Sequence, residues 1–399
     1  MCTIYSFSRA LCATSYPSVL KPYTVTVFFS MASTNLKTST IIVLCKNMRI
    51  WIDVLTPKQA FFFNVIREWL KERGHEVFST TRSGYGGFEA SSLVNYDIVS
   101  VGKHGLTPYE KLIESSRRIE LLADIAVKKN FDLSISFSSP ECARVSYGLG
   151  VPHIMFSDSP HAVHASKLTV PLSNLLFTPW LIPKKVWVKY GIIERKIVQY
   201  KCIDAAFWIK NWDYKDVRRE LNLSNKATIV IRMHEEHASY LLGKNKINVL
   251  DIIKSIVREY YDKANIVVLA RYPNQFSYLR QELDDKIILP NFVDGPSLLK
   301  YSDIFIGFGG TMTHEAALLS VPSISLFPGK ATLIESYLIR KGLVIRPKNP
   351  KKVNKIIRHY LYNIESRSRF EKKAKLLWST MENPKEKIIS KIELFKEKV

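Results

Sequence analysis

The stretch that decides the fold reads Gly307-Phe308-Gly309-Gly310-Thr311-Met312-Thr313-His314-Glu315-Ala316-Ala317. The apolar run Ile304 to Gly307 leads into it and predicts a buried strand that ends just before a glycine pair. The residues after the pair have helical character, so the pattern predicts a helix, Thr311 to Ser320, directly after a tight turn. Glycines allow backbone N–H groups to approach a phosphate closely, and a helix N-terminus adds positive potential. The stretch therefore predicts an anion-binding turn at the end of a strand.

Glu315 lies one turn into this predicted helix. A carboxylate at that position can accept hydrogen bonds from both hydroxyls of a ribose, which favours a nucleotide as the anion. The alternative is that the glycines only form a tight turn and that Glu315 offsets the helix dipole. With Thr311 as the N-cap, Glu315 falls at N4 instead of N3, so it fits a capping box poorly. We therefore favour the nucleotide interpretation.

Outward from this stretch, apolar runs of strand length alternate with sequences of helical period from Met48 onward. This alternation predicts parallel sheets with helices on both faces. The alternation of strands and helices occurs on both sides of a polar and aromatic segment, Trp208 to Leu223. We therefore expect two Rossmann-like domains that face each other across a cleft. The predicted units are residues 48–209, residues 210–365 and the Lys-rich C-terminal helices 366–399, which can cross back and lock the halves together.

Residues 1 to 47 differ in character from the rest. They contain scattered Ser, Thr and Tyr, with no clear period and without the ordered regions of a signal peptide. Met48 then opens directly onto the predicted strand Ile50 to Val54. We therefore expect the native chain to start at Met48 and interpret residues 1–47 as a disordered or non-native extension. The alternative is a divergent targeting segment.

The cysteine count and the hydropathy of the chain indicate the cellular compartment. Three of the five cysteines lie in the first 47 residues, and the remaining two, Cys142 and Cys202, are far apart in the sequence. Two distant cysteines form neither a disulfide framework nor a metal knuckle, so we expect a cytoplasmic protein. No apolar run reaches the roughly 18 residues that a membrane-spanning helix needs.

The charge balance is strongly basic, with 58 Lys and Arg against 36 Asp and Glu. The first 47 residues contain four basic residues and no acid, so a net charge of +18 out of +22 belongs to residues 48–399. Such a field favours a nucleotide diphosphate or an acidic membrane surface, with nucleic acid the least expected partner. Lys372, Lys373 and Lys375 are candidates for peripheral contact with acidic lipid. A solvated helix face is the simpler alternative for these lysines.

Two polar groups follow predicted strands of the second half. The first is Arg232-Met233-His234-Glu235-Glu236-His237, in which Arg232 or His234 can contact a diphosphate. The alternative is a solvated loop, and the spacing of its histidines does not match the His-Glu-x-x-His zinc motif. The second is Pro328-Gly329-Lys330, in which Lys330 is either a further diphosphate contact or an ordinary surface lysine.

Asp158 and His161 follow the predicted strand His153 to Phe156 in the first half. Open α/β sheets bind ligands at the carboxyl ends of their strands, so this loop is expected at the cleft. Either side chain can serve as the base toward an acceptor hydroxyl. The alternative is that Asp158 caps the next helix and that His161 lies on its first turn. His161 and His164 form too small a set to predict a metal site, and we expect none.

Several motifs also resemble known proteins. Residues 309–322 resemble the donor-site helix of GT-B glycosyltransferases and of non-hydrolysing UDP-N-acetylglucosamine 2-epimerases. More closely, residues 48 to 350 resemble a family of GT-B-like proteins with a domain of unknown function. The matching pieces are Ile-Trp-Ile-Asp at 50–53, Arg-Gly-His-Glu-Val at 73–77, Gly-Lys-His-Gly at 102–105, Gly-Leu-Gly-Val-Pro at 148–152 and Ser-Asp-Ser-Pro-His-Ala at 157–162.

The resemblance implies an α/β GT-B fold and assigns roles to particular residues. It implies that Glu315 binds the nucleotide ribose and that Gly309, Gly310, Thr311 and Thr313 line the diphosphate. The match at Arg232 and His234 is loose, because the epimerases carry a pair of arginines there. Thr56-Pro57-Lys58-Gln59 also departs from the first loop of the relatives, which puts the acceptor side in question.

The function implied is a nucleotide-sugar-dependent GT-B glycosyltransferase that needs no metal or other cofactor and uses a donor of the UDP class. The chain has no Asp-x-Asp motif, which argues against the metal-dependent GT-A class. The acceptor is unknown, and a lipid-linked acceptor is one candidate. The alternatives are a non-hydrolysing UDP-sugar 2-epimerase and a non-catalytic protein that binds nucleotide-sugar, membrane surface or nucleic acid.

Overall fold

The computed structural model describes residues 47–84, 87–234 and 249–396, and the described residues from Met48 onward pack as one unit. The predicted extension before residue 47 lies outside the described residues, as do Glu235, Glu236 and His237. Within the described part, the strands are β1 (Arg49–Asp53), β2 (Glu76–Ser83), β3 (Val99–Lys103), β4 (Leu133–Phe137), β5 (His153–Phe156), β6 (Leu175–Pro179), β7 (Ile197–Tyr200), β8 (Ala227–Arg232), β9 (Ala264–Leu269), β10 (Ile304–Gly307), β11 (Ser323–Ser325) and β12 (Val344–Ile345).

The helices of the first half connect these strands and cover the sheet. They are α1 (Pro57–Glu72), α2 (Gly87–Ser92), α3 (Pro108–Lys129), α4 (Pro140–Leu149), α5 (Val163–Thr169), α6 (Lys185–Val188) and α7 (Ala206–Ile209). The second half contributes α8 (Val217–Glu220), α9 (Val249–Tyr260), α10 (Pro273–Leu283), α11 (Gly295–Lys300), α12 (Thr311–Leu318), α13 (Leu333–Arg340), α14 (Val353–Tyr362), α15 (Ile364–Thr380) and α16 (Lys385–Glu393).

The strands form two parallel sheets, which confirms the predicted fold class. The first has the order β3-β2-β1-β4-β5-β6-β7, and the second has the order β12-β11-β10-β8-β9. Every strand pair in both sheets is parallel, for example Trp51 opposite Ser134 and Ile306 opposite Ile231. Because parallel strands share one direction, their carboxyl ends and the loops that follow lie at one edge of each sheet.

Local sequence signals explain where the helices begin and end. Thr56 caps α1 through a hydrogen bond from the Gln59 N–H, and Pro57 occupies the first turn, where its missing N–H is not needed. At the other end of a helix, Gly150 terminates α4 in the left-handed region with φ of 71°. These signals place the start of α1 immediately after β1, at the carboxyl edge of the first sheet.

Two apolar runs of the second half, residues 287–289 and 323–327, predict strands, and both form less strand than predicted. The segment 287–289 forms only an isolated bridge, Ile288 to Val267, and β11 ends at Ser325 instead of Phe327. Phe327 therefore lies in a loop, and its ring packs against Gly309. Because β11 ends early, the Phe327 ring lies against the glycine turn.

The C-terminal helices cross back onto the first sheet. Apolar residues of α15 and α16 share one core cluster with residues of β1, β4 and β5. Trp378 donates from Nε1 to the Leu318 carbonyl at 2.8 Å, and the Lys201 N–H donates to Glu382 Oε1 at 2.8 Å. The two helices therefore bind both halves and hold the sheets in one arrangement. The α15 and α16 residues of this cluster are Phe370, Ala374, Leu377, Ile388, Ile389 and Ile392.

Candidate functional site

A cavity of about 310 Å³ lies where the carboxyl edges of the two sheets meet. The first sheet contributes Arg82 near the end of β2 and the segments after β1, β4 and β5, and the second contributes the segments after β10 and β11. Ligand sites of open α/β sheets occur at this edge, because helix N-termini and polar loop residues gather there. The cavity is therefore the candidate site.

The second sheet supplies the glycine turn at the start of α12. Gly309 and Gly310 both have φ of +99°, in the region that favours glycine. A Cβ on Gly309 would lie 2.7 Å from the Phe327 ring, so the turn has no room for a side chain there. Gly310 is the N-cap residue, and no side chain caps α12. The first turn of this helix consequently presents backbone donors that no side-chain cap satisfies.

Thr313 and Arg271 add side-chain donors to this turn. Thr313 is 2% exposed and lines the cavity, and its Oγ1 has no hydrogen-bond partner among the described residues. A buried hydroxyl without a protein partner is costly, and it is able to donate a hydrogen bond to a bound ligand. The Arg271 guanidinium lies beside the turn, with Nη2 3.7 Å from the Cβ position of Gly310. Together these groups favour an anion.

The first sheet supplies a buried charge cluster at the opposite wall. Lys58 Nζ lies 2.5 Å from Asp158 Oδ2 and 2.7 Å from Asp204 Oδ2, and it sits 4.2 Å from the centroid of the Phe137 ring. Asp204 Oδ1 also accepts a hydrogen bond from the Tyr200 hydroxyl at 2.6 Å. One ammonium group is therefore shared by two carboxylates, and the fully ionised cluster carries a net negative charge.

The environment sets the protonation of this cluster. Burial opposes ionisation of Asp158, but the neighbouring Lys58 ammonium outweighs it and holds the pKa of Asp158 well below its usual range. Burial dominates at Asp204, where the attraction of Lys58 only partly offsets it, and raises the pKa of that carboxyl to about 6. Burial also opposes the charged form of Lys58, yet the two carboxylates raise its pKa. At neutral pH, Asp158 and Lys58 are both charged.

His314 reaches the same cavity from the first turn of α12. Burial lowers its pKa to about 4, although Asp158 acts in the opposite direction. The imidazole is therefore neutral at pH 7 and can accept a proton. His161, by contrast, lines the cavity from the loop after β5 and is exposed at its rim.

The structure places six of the ten predicted site residues at the cavity: Asp158, His161, Gly309, Gly310, Thr311 and Thr313. The capping alternative for Asp158 is not what is observed. The N-cap of α5 is Ala162, without a side-chain cap bond, and Asp158 Oδ1 instead accepts from the Ser159 hydroxyl at 2.7 Å. His161 precedes α5, so it does not lie on the first turn of that helix.

Glu315 does not line this cavity. It is 4% exposed and accepts a hydrogen bond from Trp208 Nε1 at 3.1 Å, on the side of α12 that faces the connection between the halves. Burial raises its pKa to about 7, although the bond from Trp208 lowers it. Tyr214 and Asp294 are close enough to interact electrostatically with Glu315. A buried carboxyl with a raised pKa and an indole donor is distinct from a solvated dipole partner.

Arg232, His234 and Lys330 also lie outside the cavity lining. Arg232 donates from Nη1 to the Ala270 carbonyl at 3.0 Å. The His234 carbonyl accepts from Gln275 at 3.0 Å, and its ring packs edge-on against Phe308. Lys330 is exposed. Arg232 and His234 thus connect the end of β8 to the segment that follows β9.

Sequence reasoning missed two residues that line the cavity, Lys58 and His314, and two that lie next to it, Asp204 beside Lys58 and Arg271 beside the glycine turn. Lys58 and His314 had a local signal, because each lies in the first turn of a helix that follows a strand directly. Asp204 and Arg271 had no such signal. Among the described residues, no group of three or more His, Cys, Asp or Glu is arranged to hold a metal ion, and no helix there is long and apolar enough to span a membrane.

Comparisons with known proteins agree with this architecture. A family model described as "Protein of unknown function (DUF354)" matches residues 48–393. The uncharacterized protein MJ0665 of Methanocaldococcus jannaschii is 27% identical over 316 residues, which cover 77% of this chain and 90% of that protein.

Two solved structures illustrate the likeness in three dimensions. The UDP-GlcNAc 2-epimerase of Neisseria meningitidis, solved bound to UDP-GlcNAc, has a TM-score of 0.67 at 15% identity, covering 87% of this chain and 100% of the other. The spinosyn forosaminyltransferase SpnP has a TM-score of 0.58 at 15% identity, covering 88% and 100%. The structure of residues 48–399 is thus of the GT-B type.

Proposed function

We propose that this protein, which belongs to the DUF354 family, is a nucleotide-sugar-dependent glycosyltransferase of the GT-B type. One observation carries the proposal. The start of α12, which no side chain caps, and the charge cluster of Lys58 and Asp158 line the same cavity of about 310 Å³. Thr313 lines it too, and its hydroxyl has no partner among the described residues. An anion site and a polar wall in one cavity suit a ligand with a diphosphate at one end and a sugar at the other.

The diphosphate binds at the glycine turn in this proposal. Backbone N–H groups of the first α12 turn, the Thr313 hydroxyl and the Arg271 guanidinium are all donors, and the helix dipole adds positive potential. When the bond between sugar C1 and the diphosphate oxygen breaks, negative charge accumulates on the leaving group. Fixed donors stabilise that charge without a metal ion.

The sugar and the acceptor lie toward the first sheet. Asp158 is ionised and held by Lys58, so it is a weak base that accepts hydrogen bonds from sugar hydroxyls. His161 is exposed at the rim, where an acceptor enters. As the acceptor oxygen attacks C1 and the diphosphate departs, His161 takes the acceptor's proton.

Glu315 retains the proposed role toward the ribose. Its carboxyl is buried beside Trp208, Tyr214 and Asp294, next to the diphosphate turn in the chain. A ligand ribose that donates both hydroxyls to Glu315 would favour the ionised carboxylate and lower its raised pKa. Before the ligand binds, the hydrogen bond from the Trp208 indole keeps the Glu315 carboxyl oriented.

The direct test is binding and turnover with the full chain. Calorimetry with UDP and with other nucleoside diphosphates identifies the base, and UDP release from UDP-sugars in the presence of candidate acceptors identifies transfer. We expect UDP to bind and Glu315→Ala to weaken it. Unchanged UDP affinity in Glu315→Ala removes the ribose assignment, and failure of every nucleoside diphosphate to bind refutes the proposed function.

A 2-epimerase is the second candidate, and a specific observation favours it. Neutral His314 and ionised Asp158 reach the same cavity from opposite halves, an arrangement that can remove and return a proton on a bound sugar. The two candidates differ in their need for an acceptor. Incubation with UDP-sugars alone, followed by NMR, distinguishes them, because only an epimerase changes the sugar without an acceptor.

A further inference from the structure

The charge of the folded chain is concentrated in one short region. Residues 340 to 376, here called the basic corner, contain 13 Lys or Arg and two Glu, a net charge of +11. That is more than half of the +18 carried by residues 48–399. The basic corner includes all of α14 and most of α15, which meet at Asn363.

Only some of these cations are neutralised by neighbours. Five form ion pairs within 4.0 Å of a carboxylate: Arg346, Arg358, Arg367, Arg369 and Lys375. Within the part of the chain that the structure describes, the other eight have no carboxylate at ion-pair distance. A surface with this balance attracts a polyanion, and the attraction is weakened by salt.

The basic corner also exposes large apolar side chains, which a purely solvated surface does not require. Tyr362 is 64% exposed and Ile364 is 83% exposed, on either side of the joint between α14 and α15. Leu376 is 65% exposed, twelve residues and about three turns further along α15. The apolar side chains therefore stand at the joint and along the outer surface.

Helix geometry places cations on the same outer faces. On α14 the buried residues are Val353 and Ile357, so Lys355 and Tyr362 point away from the core. On α15 the buried residues are Phe370, Ala374 and Leu377, and the opposite stripe contains Ile364, Ser368, Lys372 and Leu376. Each outer face thus combines lysine with an exposed apolar side chain.

We propose that the basic corner docks on the surface of an anionic lipid bilayer, with Tyr362 and Ile364 entering the headgroup region and the lysines facing anionic headgroups. Isoleucine and leucine gain from an apolar acyl boundary but make no specific contact with a phosphodiester backbone, which favours lipid over nucleic acid. The inference does not depend on the proposed function, because vesicle binding requires no nucleotide.

The test is flotation of the full chain with phosphatidylcholine vesicles, with and without phosphatidylglycerol, across a salt series. We expect binding only with the anionic lipid, and loss at high salt. Lys372→Gln/Lys373→Gln should weaken binding roughly 25-fold, since each basic residue near such a surface contributes about fivefold. Ile364→Ser should weaken it roughly tenfold through lost apolar burial.

Matched controls lie on α3, which also ends in lysines and exposes a large apolar residue. Lys128→Gln/Lys129→Gln and Tyr109→Ser, with Tyr109 73% exposed, should leave vesicle binding unchanged. Circular dichroism melts establish that each variant is folded. The proposal is overturned if the controls lose binding equally, if Ile364→Ser has no effect, if neutral vesicles bind as well, or if duplex DNA is retained while anionic vesicles are not.

Discussion

Thr313→Val should change stability and nucleotide affinity in opposite directions. The Thr313 hydroxyl is 2% exposed and has no partner among the described residues, so in the unliganded protein it carries an uncompensated desolvation cost. Valine has nearly the same shape and no polar atom. Removing an unsatisfied buried hydroxyl should stabilise the unliganded chain by about 1 kcal/mol, or roughly 1–3 °C in melting temperature.

The same substitution should weaken UDP binding, because the hydroxyl donates to a phosphate oxygen in the proposed complex. A hydrogen bond to a charged group is worth about 1.5–3 kcal/mol, so we expect a roughly 10- to 150-fold loss of affinity. Differential scanning fluorimetry without ligand and calorimetry with UDP measure the two effects separately.

The matched control is Thr169→Val. Thr169 is fully buried, but its hydroxyl donates to the Ala165 carbonyl at 2.8 Å, and it lies outside the cavity lining. The Thr169→Val variant should be less stable than the parent or equally stable, and its UDP affinity should be unchanged. The reasoning about Thr313 is refuted if its valine variant melts lower than the parent and binds UDP equally well, since the hydroxyl would then have a structural partner.

Three further predictions concern the same region. Gly309→Ala should destabilise the fold by about 1–3 kcal/mol and abolish UDP binding, because the new Cβ meets the Phe327 ring at a residue with positive φ. The control Gly150→Ala, at φ of 71° with open space around it, should cost about 1 kcal/mol and leave UDP binding intact. Equal losses for the two variants in thermal melts and calorimetry would contradict this. Lys58→Met should lower the free energy of unfolding in urea by about 3–5 kcal/mol, because the buried Asp204 and the partly buried Asp158 lose their cation. A change below about 1 kcal/mol would refute the role given to this cluster. Burial raises the pKa of Glu315 from 4.5 to about 7, so the contribution of the protonated Glu315 carboxyl to stability is fully present below pH 4.5 and is lost as the pH rises through 7. Glu315→Gln should remove about 3 kcal/mol of this pH dependence. Free energies of unfolding in urea that change with pH in parallel for the parent and the variant would contradict this prediction.

The fold was predictable from the sequence because its signals are local. The glycine turn at 309, the proline and threonine at the start of α1 and the alternation of apolar runs each report on a few neighbouring residues, and all of them agree. The prediction differs from the structure at residues 287–289, which form only an isolated bridge, and at strand ends such as Phe327. There the extent of a strand depends on whether a neighbouring strand offers pairing partners, which the local sequence does not encode.

The candidate site was only partly predictable, for a related reason. Residues that belong to the glycine turn or to the loop after β5 were identified because the chain carries them past a strand end. The charge cluster was not identified, since Lys58 and Asp204 are 146 residues apart and meet only when β7 is placed at the edge of the first sheet. The missing hydrogen bond of Thr313 is likewise a property of packing and has no signature in the sequence.

The distribution of charge across the cavity fixes the direction in which a nucleotide-sugar can bind under the proposed function. Lys58 cannot serve an incoming phosphate, because Asp158 and Asp204 already hold its ammonium, and a diphosphate at that wall would face a cluster that carries net negative charge. The opposite wall offers backbone N–H groups at the start of α12 that no side chain caps, and the Thr313 hydroxyl, which has no partner among the described residues. A ligand with one anionic end and one neutral hydroxyl-rich end is therefore oriented by electrostatics alone. The sugar must then point toward Asp158, which assigns sugar selectivity to the first sheet and binding of the nucleotide to the second.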